Sequence, residues 1–174
     1  MSQVIILGSA RSSGNTRKAV DDMLSQASID MIDLNELSIH PFHYDFQHHD
    51  DDFIPLIEQL LSYDTWIIAT PVYWYSTSTI HKIFLDRLTD LLIHRKDLGR
   101  GLRGKKIYVL ASYGTSLPDG FVDMFTQICT YLGMEYLGTS FIYSGNENSD
   151  LLSLNSEQLT NARKVLGINS SLSE

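Results

Sequence analysis

The sequence is poor in cysteine, in positive charge and in long apolar runs. Its 174 residues include one cysteine, Cys129, which excludes a disulfide framework and is too few for a zinc or iron–sulfur site. Lys and Arg number 13 against 21 Asp and Glu, and the formal net charge of -8 argues against nucleic acid as a partner. No apolar run approaches the roughly 20 residues that cross a bilayer, and the start has no basic targeting segment. We therefore expect a cytoplasmic protein without nucleic-acid or membrane partners.

Short apolar runs alternate with segments of helical period, which is typical of βαβ units and a parallel sheet. The predicted strands cover residues 3–8, 29–34, 65–70, 106–112 and 135–143. The second and fifth runs are mixed in polarity, which suits the edges of a sheet. Apolar spacing predicts helices near residues 20–27, 53–61, 80–92 and 121–132, and a fifth after Asn155 or Ser156, either of which could cap it. Gly133 is expected to end the fourth helix.

These elements predict an α/β fold with three layers and a doubly wound, five-stranded parallel sheet. Right-handed crossovers favour the flavodoxin-like strand order 2-1-3-4-5. We expect one domain over residues 1–174, because this length matches a single core. Ligands of such sheets bind beyond the carboxyl ends of the strands at the switch in strand order, here the ends of strands one, three and four.

The first of these ends carries the sequence "GSARSSGNT", residues 8 to 16. Gly14 gives the loop an open backbone, and a group of polar donors stands beside a helix N-terminus: Ser9, Arg11, Ser13, Asn15 and Thr16. This combination predicts an anion site for a phosphate group. A helix start capped by Ser13 or Asn15 would explain only one of these residues. The loop has neither the lysine of a P-loop nor the G-x-G-x-x-G pattern, and no arginine stands six residues after Cys129 as in a Cys-x5-Arg phosphatase.

The second and third ends carry aromatic and turn-forming residues. After the third strand the sequence reads "TPVYWYSTSTIHKIFLDR", in which Pro71 stiffens a turn and aromatic side chains offer a flat wall. Backbone amides of this turn could face the polar edge of a bound ring, although the aromatics could equally be core or subunit-interface residues. After the fourth strand, "SYGTSLPDG" has more turn chemistry than a plain connection needs, with an ordinary surface turn as the alternative.

The segments "GSARSSGNT" and "PVYWYSTSTIHKIFLDR" together resemble the two flavin-binding signatures of the NAD(P)H-dependent FMN reductase family, which is related to the iron–sulfur flavoproteins. This resemblance implies a flavodoxin-like fold that binds FMN. It implies phosphate contacts from Ser9, Arg11, Asn15 and Thr16, and flavin-ring contacts from Pro71, Val72, Tyr73, Trp74 and Ser76. Ser112, Tyr113 and Gly114 are further expected ring contacts, and Tyr143, Ser144 and Gly145 are weaker candidates.

The resemblance also implies an activity and an assembly. NAD(P)H would give a hydride to FMN, and the electrons would pass to a quinone, a flavin or another small acceptor. A homodimer with sites near the subunit interface is expected. We identify no catalytic acid or base, because the cofactor supplies the chemistry. The preference for NADH or NADPH stays open, as does the acceptor.

Two charged segments fall outside these signatures. Residues 40–53, "HPFHYDFQHHDDDF", stand where the iron–sulfur flavoproteins have a cysteine cluster, so no cluster is expected. We expect no metal there, since no helical or hairpin spacing converges its ligands, and expect Asp50, Asp51 and Asp52 to favour a helix N-terminus while the remainder covers the site or a partner subunit. Basic residues within 95–106 would either attract the extra phosphate of NADPH or complement a helix C-terminus.

A further ionic group stands on the predicted third helix. Lys82, Asp86 and Arg87 follow one another at helical spacing, which predicts an ion network within that helix.

Two other functions use the same fold. A flavodoxin-like electron carrier would bind FMN and serve protein partners, and the acidic charge suits it equally well. The arginine in "GSARSSGNT" favours the reductases, because the carriers have a Ser/Thr-x-Thr-Gly-x-Thr loop. A flavin-binding regulator with incidental turnover is the third reading.

Overall fold

The protein folds around one parallel sheet. The computed structural model describes residues 2–117, 119–145 and 151–168. The strands are β1 (Gln3–Leu7), β2 (Asp30–Asp33), β3 (Thr65–Pro71), β4 (Lys106–Tyr113) and β5 (Glu135–Tyr143). All neighbouring pairs are parallel, and the order is β2-β1-β3-β4-β5. The predicted doubly wound sheet and its strand order are confirmed.

Helices cover both faces of the sheet. In the described residues they are α1 (Asn15–Leu24), α2 (Phe53–Leu60), α3 (Thr79–Ile93), α4 (Lys96–Gly101), α5 (Phe121–Leu132) and α6 (Leu151–Leu166). Helix α5 ends at Gly133 with φ 70°, as predicted. The prediction of five helices was wrong, because α4 is an additional short helix in which no residue is buried and no apolar stripe signals it.

The predicted start of the last helix was also wrong. Helix α6 begins at Leu151, so Asn155 and Ser156 lie inside it and neither is its N-cap. Asn155 is buried, and its side chain bonds to strand β5 instead: Oδ1 accepts from the Tyr143 N–H at 2.8 Å and Nδ2 donates to the Tyr143 carbonyl at 2.9 Å. Asn155, which was predicted as a helix cap, therefore satisfies backbone groups of the edge strand β5.

The two faces of the sheet have separate apolar layers, because successive strand residues point to opposite sides. Val4 and Ile6 of β1 pack with the apolar residues of α2, α3 and α5, while Ile5 and Leu7 pack with those of α1 and α6. Strands β1, β3 and β4 are almost wholly buried, whereas β2 and β5 are partly exposed edges, as their mixed sequences predicted. None of the described helices is long and apolar enough to cross a membrane.

The segment between β2 and α2 is tied to helix α3 by Arg87. This side chain is 1% exposed, pairs with Asp51 at 2.5 Å and with Asp90 at 2.6 Å, and donates to the carbonyls of His40 (2.9 Å) and His48 (3.1 Å). The predicted intrahelical network was therefore only partly right. Lys82 and Asp86 do pair along α3 on its exposed side, but Arg87 reaches across to another segment.

The aspartates before α2 have different partners. Asp51 accepts from the Phe53 N–H at 3.0 Å at the start of the helix, as expected for an acid at a helix N-terminus. Asp52 is the N-cap but makes no side-chain cap bond, and its carboxylate accepts from the Ser38 N–H instead. Among the described residues no three His, Cys, Asp or Glu side chains are grouped to hold a metal ion.

Candidate functional site

A cleft of about 200 Å³ lies where the loops after β1, β3, β4 and β5 meet. Because parallel strands share one carboxyl edge, segments far apart in sequence converge there. Its lining comprises Ser9, Arg11, Gly14, Asn15, Thr16, Pro71, Val72, Tyr73, Ser112, Tyr113, Gly114 and Ser144. The predicted residues Ser13, Trp74 and Ser76 are not part of this lining and flank it along the chain. The structure thus brings the three predicted loops into one concave site.

The first loop leads into α1 without a side-chain cap. Gly14 is the N-cap, in an extended conformation, and no side-chain hydrogen bond caps the helix. The side-chain amide of Asn15, Nδ2, donates at 3.3 Å to the carbonyl of Ser144, on the loop after β5. The first N–H groups of a helix have no intrahelical partners. At the start of α1 no side chain caps these N–H groups. The capped-helix explanation of this loop is therefore not supported by the geometry.

The donors of the first loop are held in place by buried contacts. Thr16 is 1% exposed, and its hydroxyl lies 2.8 Å from that of Ser112 at the end of β4. Arg11 is the only charged residue among the described residues of the lining. Hydroxyls, backbone N–H groups and one guanidinium are the donor set that suits a phosphate monoester. The residues present therefore fit the phosphate of FMN even though the whole protein is acidic.

The loop after β3 forms a tight turn with strained backbone. Tyr73 and Ser76 exchange backbone hydrogen bonds of 2.9 and 3.0 Å, and both residues between them have positive φ, 49° at Trp74 and 65° at Tyr75. This is the pattern of a type I′ turn, which normally uses Asn and Gly. Left-handed backbone costs non-glycine residues about 1–2 kcal/mol each. The turn nevertheless presents Trp74, 95% exposed, and Tyr75 to solvent beside the cleft.

The amides after Pro71 are mostly committed to the protein. The Val72 N–H donates to the Ser112 carbonyl at 2.8 Å, and the Tyr73 N–H donates to Ser76. These two groups are thus not free to bind a ring edge, contrary to expectation. The second loop contributes an apolar and aromatic wall more than a row of donors.

The loops after β4 and β5 are packed together on the far side of the cleft. The Ser144 N–H donates to the Tyr113 carbonyl at 2.8 Å, and the rings of Tyr113 and Tyr143 meet edge to face at 5.5 Å. A Cβ on Gly145 would lie 2.8 Å from the carbonyl carbon of Gly114 and closer still to its oxygen. Only glycine allows this approach, so the two loops form one wall.

A buried cluster behind the first loop was not predicted from the sequence. Ser78 caps α3 by accepting from the His81 N–H at 3.2 Å, and its hydroxyl donates to the Gly8 carbonyl at 2.6 Å. His81 is fully buried, and burial lowers its pKa to about 4. The nearby carbonyls of Gly8 and Ile6 act in the opposite direction and raise the pKa, but by less. The signal available in the sequence was the pair Ser78 and His81 at N-cap and N3 spacing.

Comparison with known proteins decides the family. Residues 1–148 match the family described as NADPH-dependent FMN reductase. The chain belongs to this family. This chain is 29% identical over 166 residues to an NAD(P)H-dependent FMN-containing oxidoreductase of Bacillus subtilis, YwqN, across 87% of this chain and 90% of that protein. FMN and NAD(P)H are accordingly its cofactors, and it is an FMN-containing oxidoreductase.

Solved structures support the same fold. This chain superimposes on the Trp repressor binding protein of Bacillus subtilis with a TM-score of 0.76 and 25% identity, covering 97% of this chain and 100% of that one. An FMN-dependent NADH-azoreductase of Bacillus anthracis, solved with FMN, gives 0.67 at 13% identity and the same coverages. At that identity the azoreductase shows a shared fold only.

Proposed function

We propose that the cleft binds FMN and that the protein passes hydride equivalents from NAD(P)H to a quinone, a flavin or another small acceptor. The phosphate would lie against Ser9, Arg11 and the start of α1, and the ring along Pro71 to Tyr73 and Ser112 to Gly114. The observation that carries the proposal is the convergence of all three loops on one cleft whose single charged lining residue, among those described, is Arg11.

The chain's own residues would bind and orient. Arg11 neutralises phosphate charge, while Ser9, Asn15 and Thr16 supply hydrogen-bond donors of fixed position. The stiff turn after β3 and the joined loops after β4 and β5 shape the two sides of a ring slot. FMN held by these residues would supply the redox chemistry that links the nicotinamide donor to the acceptor.

The described lining of the cleft has no His, Asp, Glu or Lys. Rate enhancement would therefore come mainly from holding the nicotinamide and the flavin ring close together in a reactive orientation, which can supply a large part of the reduction in the activation free energy.

Two of the basic residues within 95–106 are already engaged in ion pairs, and one of these lies away from the cleft. Lys106 begins β4, at the amino edge of the sheet and thus opposite the cleft, and it pairs with Glu135 at 3.2 Å. Arg95 pairs with Glu58 and Asp97. We propose that these residues serve ion pairs and helix ends, and that selection between NADH and NADPH depends on residues nearer the cleft.

We also propose a homodimer of single-domain subunits in the cytoplasm. Trp74 at 95% and Tyr75 at 64% form an exposed aromatic pair directly after the lining residue Tyr73, and adjoining exposed apolar side chains of this kind suit a subunit contact. Light scattering coupled to size exclusion, at micromolar concentration, tests the dimer. A monomer at every concentration would contradict it.

An anaerobic titration with NADPH, and in parallel with NADH, tests the proposed activity. The FMN-loaded protein is followed by the visible absorption of its oxidised flavin. Bleaching at about one equivalent is expected from a two-electron donor. Stable FMN binding with reduction by dithionite but not by either nicotinamide would refute the reductase and support the electron-carrier alternative.

A further inference from the structure

Gly8, the residue between β1 and the phosphate loop, is held on every side. Its N–H donates to the Ala69 carbonyl at 3.0 Å, and its carbonyl accepts from the Ser78 hydroxyl at 2.6 Å. The imidazole of His81 covers its remaining face. A Cβ at this position would lie 2.6 and 2.7 Å from Cε1 and Cγ of that ring, and closer still to Nδ1. Position 8 therefore has no room for a methyl group.

The carbonyls of Gly8 and Ile6 lie near the His81 ring, but neither forms a hydrogen bond of good geometry with it. Its side chain is fully buried, and within the described residues neither ring nitrogen has a hydrogen-bond partner. An unpartnered buried polar group is unfavourable, so this ring is retained at a cost that better hydrogen bonding would avoid. The imidazole remains neutral above about pH 4, because burial lowers its pKa to about 4. It therefore acts through its flat shape rather than through charge.

The same cluster connects the two halves of the flavin cleft. The Ser78 N–H donates to the Thr70 hydroxyl at 3.2 Å, one residue before Pro71 of the ring side. The Ser78 hydroxyl contacts Gly8, one residue before Ser9 of the phosphate side. Ser78 is also the N-cap of helix α3. The loop after β1 (the phosphate loop) and the loop after β3 (the ring loop) are therefore both hydrogen-bonded to the same buried residue.

We propose that His81 and Ser78 are positioning residues for the phosphate loop, fixing the backbone of Gly8 so that Ser9 and Arg11 meet the FMN phosphate. The inference rests on the proposed placement of FMN in this cleft. It extends that placement to residues that do not line the cleft and that set the selectivity for FMN over riboflavin.

The test is a double-mutant cycle with Gly8→Ala and His81→Ala, read as the dissociation constants of FMN and riboflavin. Gly8→Ala should weaken FMN by about tenfold or more and riboflavin by about threefold or less, because Gly8 leads directly into Ser9 and Arg11, while the Ser78 N–H bond to Thr70 on the ring side stays in place. In Gly8→Ala/His81→Ala the new methyl has room, and FMN affinity should return to within about threefold of His81→Ala alone.

His94→Ala provides the matched control. His94 is the exposed C-cap of the same helix, so Gly8→Ala/His94→Ala should bind FMN no better than Gly8→Ala. An FMN affinity of Gly8→Ala equal to the wild type, equal losses for both ligands, or no recovery in the His81 double variant would each overturn the proposal. If Gly8→Ala is not recovered folded, Ser78→Ala removes the clamp without adding volume. It should again weaken FMN more than riboflavin, and equal effects on the two ligands would overturn the proposal.

Failure of the inference and failure of the proposed function are distinguishable. A wild-type protein that binds riboflavin as tightly as FMN lacks the phosphate site itself. A wild type that prefers FMN, combined with additive effects of Gly8→Ala and His81→Ala, removes only the role of the buried anchor.

Discussion

Replacing Arg87 with Met should be among the most destabilising single changes in this protein. The guanidinium is 1% exposed, and the carboxylates of Asp51 and Asp90 that it pairs with are each 3% exposed. Removing one partner of a buried ion pair costs about 3–5 kcal/mol, because the remaining charge is left without compensation. The carbonyls of His40 and His48 also lose their donor. We expect a loss of about 3–5 kcal/mol in the free energy of unfolding.

Urea denaturation followed by circular dichroism measures this loss. The control is Lys82→Met on the same helix, whose pair with Asp86 is about half exposed on both sides and should cost about 0.5 kcal/mol or less. A domain near the middle of the usual range, about 10 kcal/mol, would keep about 5–7 kcal/mol after the Arg87 change and would still fold. A loss below about 1 kcal/mol, or one no larger than that of the control, would refute the reasoning.

The penalty should also depend on pH. Burial alone would raise the pKa of Asp51, but the hydrogen bonds from Arg87 and from the backbone of His40 and Phe53 outweigh it and hold that pKa below its ordinary 3.8. A lowered folded pKa gives stability that is present above the unfolded pKa and is lost as pH falls through the folded value. The difference between wild type and Arg87→Met should thus shrink below about pH 4. A difference that grows in acid would contradict the ion pair.

Three further changes test other parts of the site. Trp74→Asn should raise the free energy of unfolding by about 1 kcal/mol, because Asn tolerates the left-handed backbone and little packing is lost with the exposed indole. The control, Trp74→Phe, should be neutral. A lower melting temperature for the Asn variant would be inconsistent with backbone strain at Trp74. Asn155→Ala should cost about 2–3 kcal/mol by urea denaturation, since both backbone groups of Tyr143 lose a partner, and a cost near zero would mean that water replaces them. Gly145→Ala should weaken the binding of FMN and riboflavin alike in fluorescence titrations, because the new methyl group pushes apart the loops after β4 and β5 that form one wall of the cleft. A loss of affinity for FMN alone would contradict this.

The sheet and the meeting of the loops could be predicted because each depends on strong local signals. Buried central strands need almost continuous apolar runs, and the runs at residues 65–70 and 106–112 have them. Because the strands are parallel, the loops that follow β1, β3 and β4 must all lie at the carboxyl edge of the sheet. Neither step requires knowledge of side-chain contacts.

Side-chain partners across the fold could not be predicted in the same way. Arg87 has a carboxylate at helical spacing in Asp90, yet its other partner, Asp51, is 36 residues away and is chosen by how the segment before α2 folds back. His81 falls on a helix like many core residues, and only the tertiary packing sets its ring against Gly8. Asn155 resembles a cap because its preference for caps is local, while the edge of β5 competes for it through tertiary contact.

The affinity of FMN and of riboflavin for the wild type, Arg11→Ala and Arg11→Lys tests the central claim most directly. Arg11 is the only charged residue of the described lining, and a charged hydrogen bond is worth about 1.5–3 kcal/mol. The account predicts that Arg11→Ala weakens FMN by about ten- to a hundredfold, that riboflavin is affected less, and that Arg11→Lys retains part of the FMN affinity. Equal losses for FMN and riboflavin, or no loss for either, would contradict a phosphate site at the end of β1.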